Sequence, residues 1–90
     1  MTDTIEATQV ILWSKPSCPQ CNATERAFKE QDIAFVKLDI SQPENAAQLA
    51  HFKNNYGFAQ APIVETPDDA WCGFQPDRIK DLANRIGGNA

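Results

Sequence analysis

Cys18 and Cys21, separated by Pro19 and Gln20, are the residues of this chain whose types and spacing are best suited to chemistry. They follow an apolar run, Val10-Ile11-Leu12-Trp13, and open a segment with helical periodicity. A C-x-x-C pair between a strand and a helix is suited to cycle between dithiol and disulfide. At a helix N-terminus, unpaired backbone N–H groups and the positive end of the macrodipole stabilise a thiolate. Cys18 is therefore expected to be the exposed nucleophile of lower pKa, and Cys21, one turn further in, the resolving thiol. Helical spacing supports that division, because Cys21, Thr24 and Phe28 share one face while Cys18 is left at the tip. Two other uses of the pair stand beside this one: ordinary core cysteines, or half of a zinc site. Cys18, Cys21, Cys72 and His51 make a nominal Cys₃His set. His51 falls off the apolar stripe of its own segment and is expected to face solvent, and a second C-x-x-C is absent from the sequence.

Length and composition narrow the class. Ninety residues suffice for one small core, with 42% hydrophobic and 22% charged residues, which are ordinary globular values. A net charge of −4 without a basic stripe argues against nucleic acid as a partner and fits a soluble monomer. Three cysteines are an odd number, and their spacing is unlike a secreted disulfide framework. The polar, acidic stretch 1–8 reads as a flexible leader rather than a signal peptide, with a single domain over 9–90. No apolar run approaches the ~18 residues of a membrane span. The expected compartment is the cytoplasm.

Elements capable of positioning the pair can be read from periodicity. Val10–Trp13 has the continuous apolar character of a strand covered on both faces. Ser17 can cap the next helix, with Pro19 tolerated in its first turn. A second strand is expected within 33–40, with Phe35, Val36 and Leu38 as its apolar content. Ser41-Gln42-Pro43-Glu44 has the form of a capping box, and Ala46, Leu49, Phe52 and Tyr56 mark a helix ended by Gly57. Pro62–Glu65 and Ala70–Phe74 read as a hairpin around 66–69. Pro76 opens a last helix with the stripe Ile79, Leu82, Ala83 and Ile86, stopped by Gly87-Gly88. The expected order is β-α-β-α-β-β-α: an α/β fold with a four-stranded mixed sheet and three helices.

That order, with C-x-x-C after the first strand, resembles the thioredoxin fold in its glutaredoxin-like form over roughly 10–86. The resemblance implies a cis proline at Ala61-Pro62, opposite the cysteines, where the backbone of residue 61 would align the chain carrying a substrate disulfide. Lys15-Pro16-Ser17-Cys18-Pro19-Gln20-Cys21 and Trp71-Cys72-Gly73-Phe74-Gln75-Pro76-Asp77 are together similar to the K-P-x-C-x-Q-C and W-S-G-F-R-P-D segments of NrdH-type redoxins. Membership of that family implies a thiol–disulfide oxidoreductase, reduced by thioredoxin reductase and passing electrons to class Ib ribonucleotide reductase or other disulfide-containing proteins. It implies no bound cofactor, the electrons arriving from NADPH through a flavoprotein reductase. Lys15, Pro19, Gln20, Ala61, Pro62, Trp71, Gly73 and Phe74 are the implied contacts for substrate or partner.

Cys72 and Gln75 depart from the family, which has serine and arginine there; glutamine brings fewer donors and no charge to that loop. Cys72 reads either as a small, partly buried residue or as a third redox thiol. A glutathione-dependent glutaredoxin is the nearest alternative, although Gln20 replaces its tyrosine and its G-G turn with a following acidic residue is missing. A redox-inactive or metal-binding adaptor on the same scaffold is an alternative of another class.

Overall fold

Residues Ile11–Ser14 form a strand, β1, whose side chains alternate between two apolar cores. A computed structural model describes residues 10–67 and 69–87. The leader 1–8 and Gly88 lie outside that range, as does the side chain of Ile86. After β1 come helix α1 (Pro19–Glu30), strand β2 (Val36–Asp39), a 3₁₀ turn (Pro43–Asn45) and helix α2 (Ala46–Tyr56). Strands β3 (Ile63–Glu65) and β4 (Ala70–Cys72) and helix α3 (Pro76–Gly87) complete the described residues.

The sheet order is β2-β1-β3-β4, with β1 parallel to β2 and antiparallel to β3, and β3 antiparallel to β4. Register lines Leu12 up with Val64 and Val64 with Trp71, and Trp13 with Ile63 and Ile63 with Cys72. Because side chains alternate across a sheet, the first row faces one way and the second the other. Leu12, Val64 and Trp71 pack with Val10, Ile33, Phe28 of α1 and Ile79 and Leu82 of α3. Trp13 and Ile63 pack with Ile40 and Phe52 of α2, and Leu49, Phe58, Ala61 and Cys72 lie against them. The mixed sheet is thus covered on both faces, as the apolar run at 10–13 predicts.

Several local expectations give way to neighbouring polar groups. Strand β2 occupies only 36–39 of the expected 33–40; Ile33 and Ile40 are buried outside it, while Val36 is exposed on the sheet edge. The capping box at Ser41–Glu44 does not form. Ser41 instead donates its hydroxyl and its N–H to Asp39 Oδ1, Gln42 Nε2 reaches Asp39 Oδ2 at 3.2 Å, and Asn45, at the N-cap of α2, donates its amide to the Asp39 carbonyl at 2.7 Å rather than capping the helix. The Ser41 hydroxyl first, then its N–H and Gln42, hold the Asp39 carboxyl below its ordinary range. Of the α2 stripe, Phe52 is buried, Leu49 half-buried, and Ala46 and Tyr56 exposed. The Tyr56 ring stacks on Phe58 at 5.1 Å between centroids. Gly57 ends the helix in the left-handed region (φ 73°), a conformation glycine adopts without a Cβ penalty.

Phe28 is fully buried between α1 and the sheet, so its loss leaves a cavity rather than a wetted gap. Phe28→Ala is expected to lower the unfolding free energy by about 3–5 kcal/mol, read as a fall in the urea midpoint.

Candidate active site

Cys18 caps α1 with its own sulfur. It has extended backbone (φ −122°, ψ 99°), and its Sγ accepts the Cys21 N–H at 3.1 Å. The expected cap, Ser17, is instead the left-handed residue (φ 56°) that turns the chain into the helix. Pro19 fills the first turn, where its missing N–H costs nothing, and Asn22 N–H makes the first i→i−4 bond to the Cys18 carbonyl at 3.1 Å. Cys18 and Cys21 are joined as a disulfide, with their Cα atoms 5.2 Å apart.

The expected exposure of Cys18 is corrected by this geometry, since the residue is only 5% exposed. The bond draws its sulfur over the first turn toward Cys21, whose side chain faces the interior beside Thr24 and Phe28. Thr24, fully buried, donates its hydroxyl to the Gln20 carbonyl at 2.8 Å. That bond fixes the backbone between the two cysteines.

The opposite wall is built by the strand that follows Pro62. The Ala61–Pro62 bond is cis, Pro62 is buried and Ala61 is half-buried. The Pro62 carbonyl accepts the Gly73 N–H at 2.8 Å, which ties the start of β3 to the end of β4. Gly73 has φ 87°, so the expected strand Ala70–Phe74 stops at Cys72. From there the loop turns to α1, where Gln20 Oε1 accepts the Phe74 N–H at 3.0 Å. Gln75 Nε2 donates to the Cys72 carbonyl at 2.9 Å and so closes the loop on itself. Cys72 Sγ donates to the Gln60 carbonyl at 3.1 Å, and its side chain lies against the α2 core.

The residues named from sequence thus fall into two groups. Cys18, Pro19, Gln20, Pro62, Gly73 and Phe74 are brought together through these bonds, Ala61 lies against the α2 core, and Phe74 remains 37% exposed. Trp71 is the correction: it is only 2% exposed and is core, because its register with Val64 turns it toward α1 and α3. Its buried indole N–H has no hydrogen-bond partner among the described residues, and the Arg78 guanidinium, paired with Asp69 at 2.8 Å, lies 5.6 Å from its ring centroid. Trp13 packs edge-on to Phe52 in the other core and donates to Glu65 Oε1 at 3.2 Å. Lys15 is exposed and lines a surface cavity of about 320 Å³ with Ser14, Pro16, Lys37, Leu38 and Asp39.

Lys37 of that cavity pairs with Glu25 at 3.0 Å, and this bond is the main reason the Glu25 carboxyl lies below its ordinary range. His51 is exposed and bonded to Asn55, and among the described residues no three His, Cys, Asp or Glu side chains gather as a metal site. Spacing puts Thr24 on the buried face, but its bond to the Gln20 carbonyl and the Gln20–Phe74 contact escape sequence reasoning. A polar residue at the buried position between Cys21 and Phe28 is a usable signal for Thr24. A bond spanning 54 residues leaves none.

A disulfide at a helix N-terminus and a cis proline linked to that helix through the Gly73–Phe74 loop, on a β-α-β-α-β-β-α scaffold, define a thiol–disulfide oxidoreductase of the thioredoxin fold. The glutaredoxin family model matches residues 10–69. Glutaredoxin-like protein NrdH of Escherichia coli K12 is 31% identical over 82% of this chain and 88% of its own length. Its counterpart in Lactococcus lactis subsp. cremoris is 33% identical over 82% of this chain and 99% of its own. The solved NrdH-redoxin of E. coli, a glutaredoxin-like protein with a thioredoxin-like activity profile, superposes with a TM-score of 0.71. That match has 31% identity and covers 82% of this chain and 93% of the other. The chain belongs to the glutaredoxin family, in its NrdH-type branch. No helix among the described residues is long and apolar enough to cross a membrane.

Gly73 is held at a φ that L-residues rarely adopt, although an added Cβ would meet only Gln20 Oε1, at 3.5 Å. Gly73→Ala is therefore expected to destabilise through its backbone, by about 1–2 kcal/mol, measured by chemical denaturation.

Proposed function

We propose that this redoxin carries electrons from thioredoxin reductase to protein disulfides, with class Ib ribonucleotide reductase as the acceptor. Cys18 thiolate attacks one sulfur of the substrate disulfide; that S–S bond breaks, and the other substrate sulfur leaves and takes up a proton. Cys21, having given up its proton, then attacks Cys18 Sγ and frees the second substrate sulfur. The substrate gains two electrons and two protons, and the Cys18–Cys21 dithiol becomes the disulfide. A flavoprotein reductase drawing on NADPH restores the dithiol, so the redoxin needs no bound cofactor of its own. In this reading it acts as a monomer in the cytoplasm.

The observation that carries the reading is the anchoring of the loop after β4 to the C-x-x-C helix through Gln20 and Phe74. It gives the two segments shared with NrdH-type redoxins a single surface beside the disulfide. Ala61 would align the substrate chain there through its backbone, Phe74 would supply apolar contact, and Lys15 would meet an acidic group of the partner. The thioredoxin-like activity profile of the similar E. coli redoxin supports a reductase, rather than glutathione, as the donor.

Insulin-disulfide reduction driven by NADPH tests the donor, with thioredoxin reductase in one arm and glutathione plus glutathione reductase in the other. Activity is expected in the first arm and little in the second. The reverse result would establish a glutathione-dependent glutaredoxin, and inactivity in both would leave a binding module. Cys18→Ser is expected to abolish turnover, whereas Cys21→Ser accumulates mixed disulfides visible on non-reducing gels. Full dithiol turnover by Cys18→Ser would overturn the assignment of the attacking sulfur.

A further inference from the structure

Gln20 sits between the two redox cysteines, yet its side-chain carbonyl is committed to the loop after β4. Its Oε1 accepts the Phe74 N–H at 3.0 Å. The backbone that carries it is fixed separately, by the buried Thr24 hydroxyl on the Gln20 carbonyl at 2.8 Å. The loop is fixed from its other side by Gly73 N–H on the Pro62 carbonyl at 2.8 Å. One neutral amide therefore joins the first turn of α1 to a loop already hydrogen-bonded to the cis-proline wall. Gly73 adds no Cβ at the contact, and the next residue, Phe74, presents an aromatic side chain that is 37% exposed.

We propose that Gln20 is a positioning residue that holds the Gly73–Phe74 loop in its docking conformation beside Cys18 and Cys21. A loop ordered before encounter loses less conformational freedom when a partner docks, so the bond acts on partner affinity rather than on sulfur exchange. Only the acceptor half of the amide takes part in the contact, so a carboxylate can replace it and a methyl group cannot. The inference rests on the reading that this loop meets protein substrates.

Two measurements on the full chain test it: amide hydrogen exchange at Phe74 by NMR, and steady-state insulin reduction with dithiothreitol as donor, corrected for the uncatalysed rate. A chemical donor keeps the outcome independent of which reductase serves the protein. In Gln20→Ala, exchange at Phe74 is expected to quicken and KM to rise, each by about 3–10-fold, as one neutral hydrogen bond allows, with kcat little changed. Gln20→Glu is expected to restore both. Unchanged exchange, faster exchange without a change in KM, or a Gln20→Glu variant as impaired as Gln20→Ala would each overturn the proposal. Phe74→Ala separates the two levels. If KM is unchanged in that variant, the docking reading itself fails; if KM rises there but not in Gln20→Ala, only the positioning role fails.

Discussion

Leu12 and Trp13 are neighbours in the chain and face opposite cores, and that alternation is what places the disulfide. Strand β1 lies between β2 and β3, hydrogen-bonded on both edges and buried on both faces. Such a strand has little freedom to slip, because a one-residue shift would exchange its two faces and put each side chain in the wrong core. Ser14 ends it, and the short step through Lys15, Pro16 and Ser17 delivers Cys18 to the start of α1. The position of the reactive sulfur is thus inherited from the packing of the sheet. Phe28 reinforces it, since the same helix that carries Cys18 at its tip is pinned to β1 at its other end.

The opposite wall depends on the same sheet. Strand β3 pairs with β1, and β4 with β3, so Pro62 and Gly73 are both referred to the strand that leads to the cysteines. Three bonds then link that wall to the helix of the disulfide: Gly73 to Pro62, Phe74 to Gln20, and Thr24 to Gln20. Each uses a backbone group on at least one side. The chemistry of the loop consequently depends as much on its φ values and register as on the identity of its side chains.

Much of this is legible in the residues alone, where the signal is local or periodic. The run at 10–13, the C-x-x-C after it, Gly57, Pro76 and the Ile79–Leu82–Ala83 stripe each name an element, because burial period and backbone restriction act over a few residues. Three features are not legible for the opposite reason. Cys18 displaces Ser17 as the helix cap because the disulfide and the left-handed turn at Ser17 settle the geometry together. Ser41 abandons Glu44 for Asp39, an equally local partner that only the end of β2 brings into place. Trp71, a partner contact by family resemblance, is assigned to the core only by its pairing with Val64. The Gln20–Phe74 bond lies beyond any local rule, since its partners meet only after the whole sheet has formed.

The two tryptophans occupy opposite sides of that sheet, Trp13 against Phe52 in the α2 layer and Trp71 among Val64, Ile79 and Leu82 in the layer of α1 and α3. Each half of the interior therefore carries its own intrinsic chromophore. Their surroundings differ as well, with a carboxylate accepting from one indole and a guanidinium over the face of the other. Loosening of one layer therefore changes the surroundings of one indole and leaves those of the other in place.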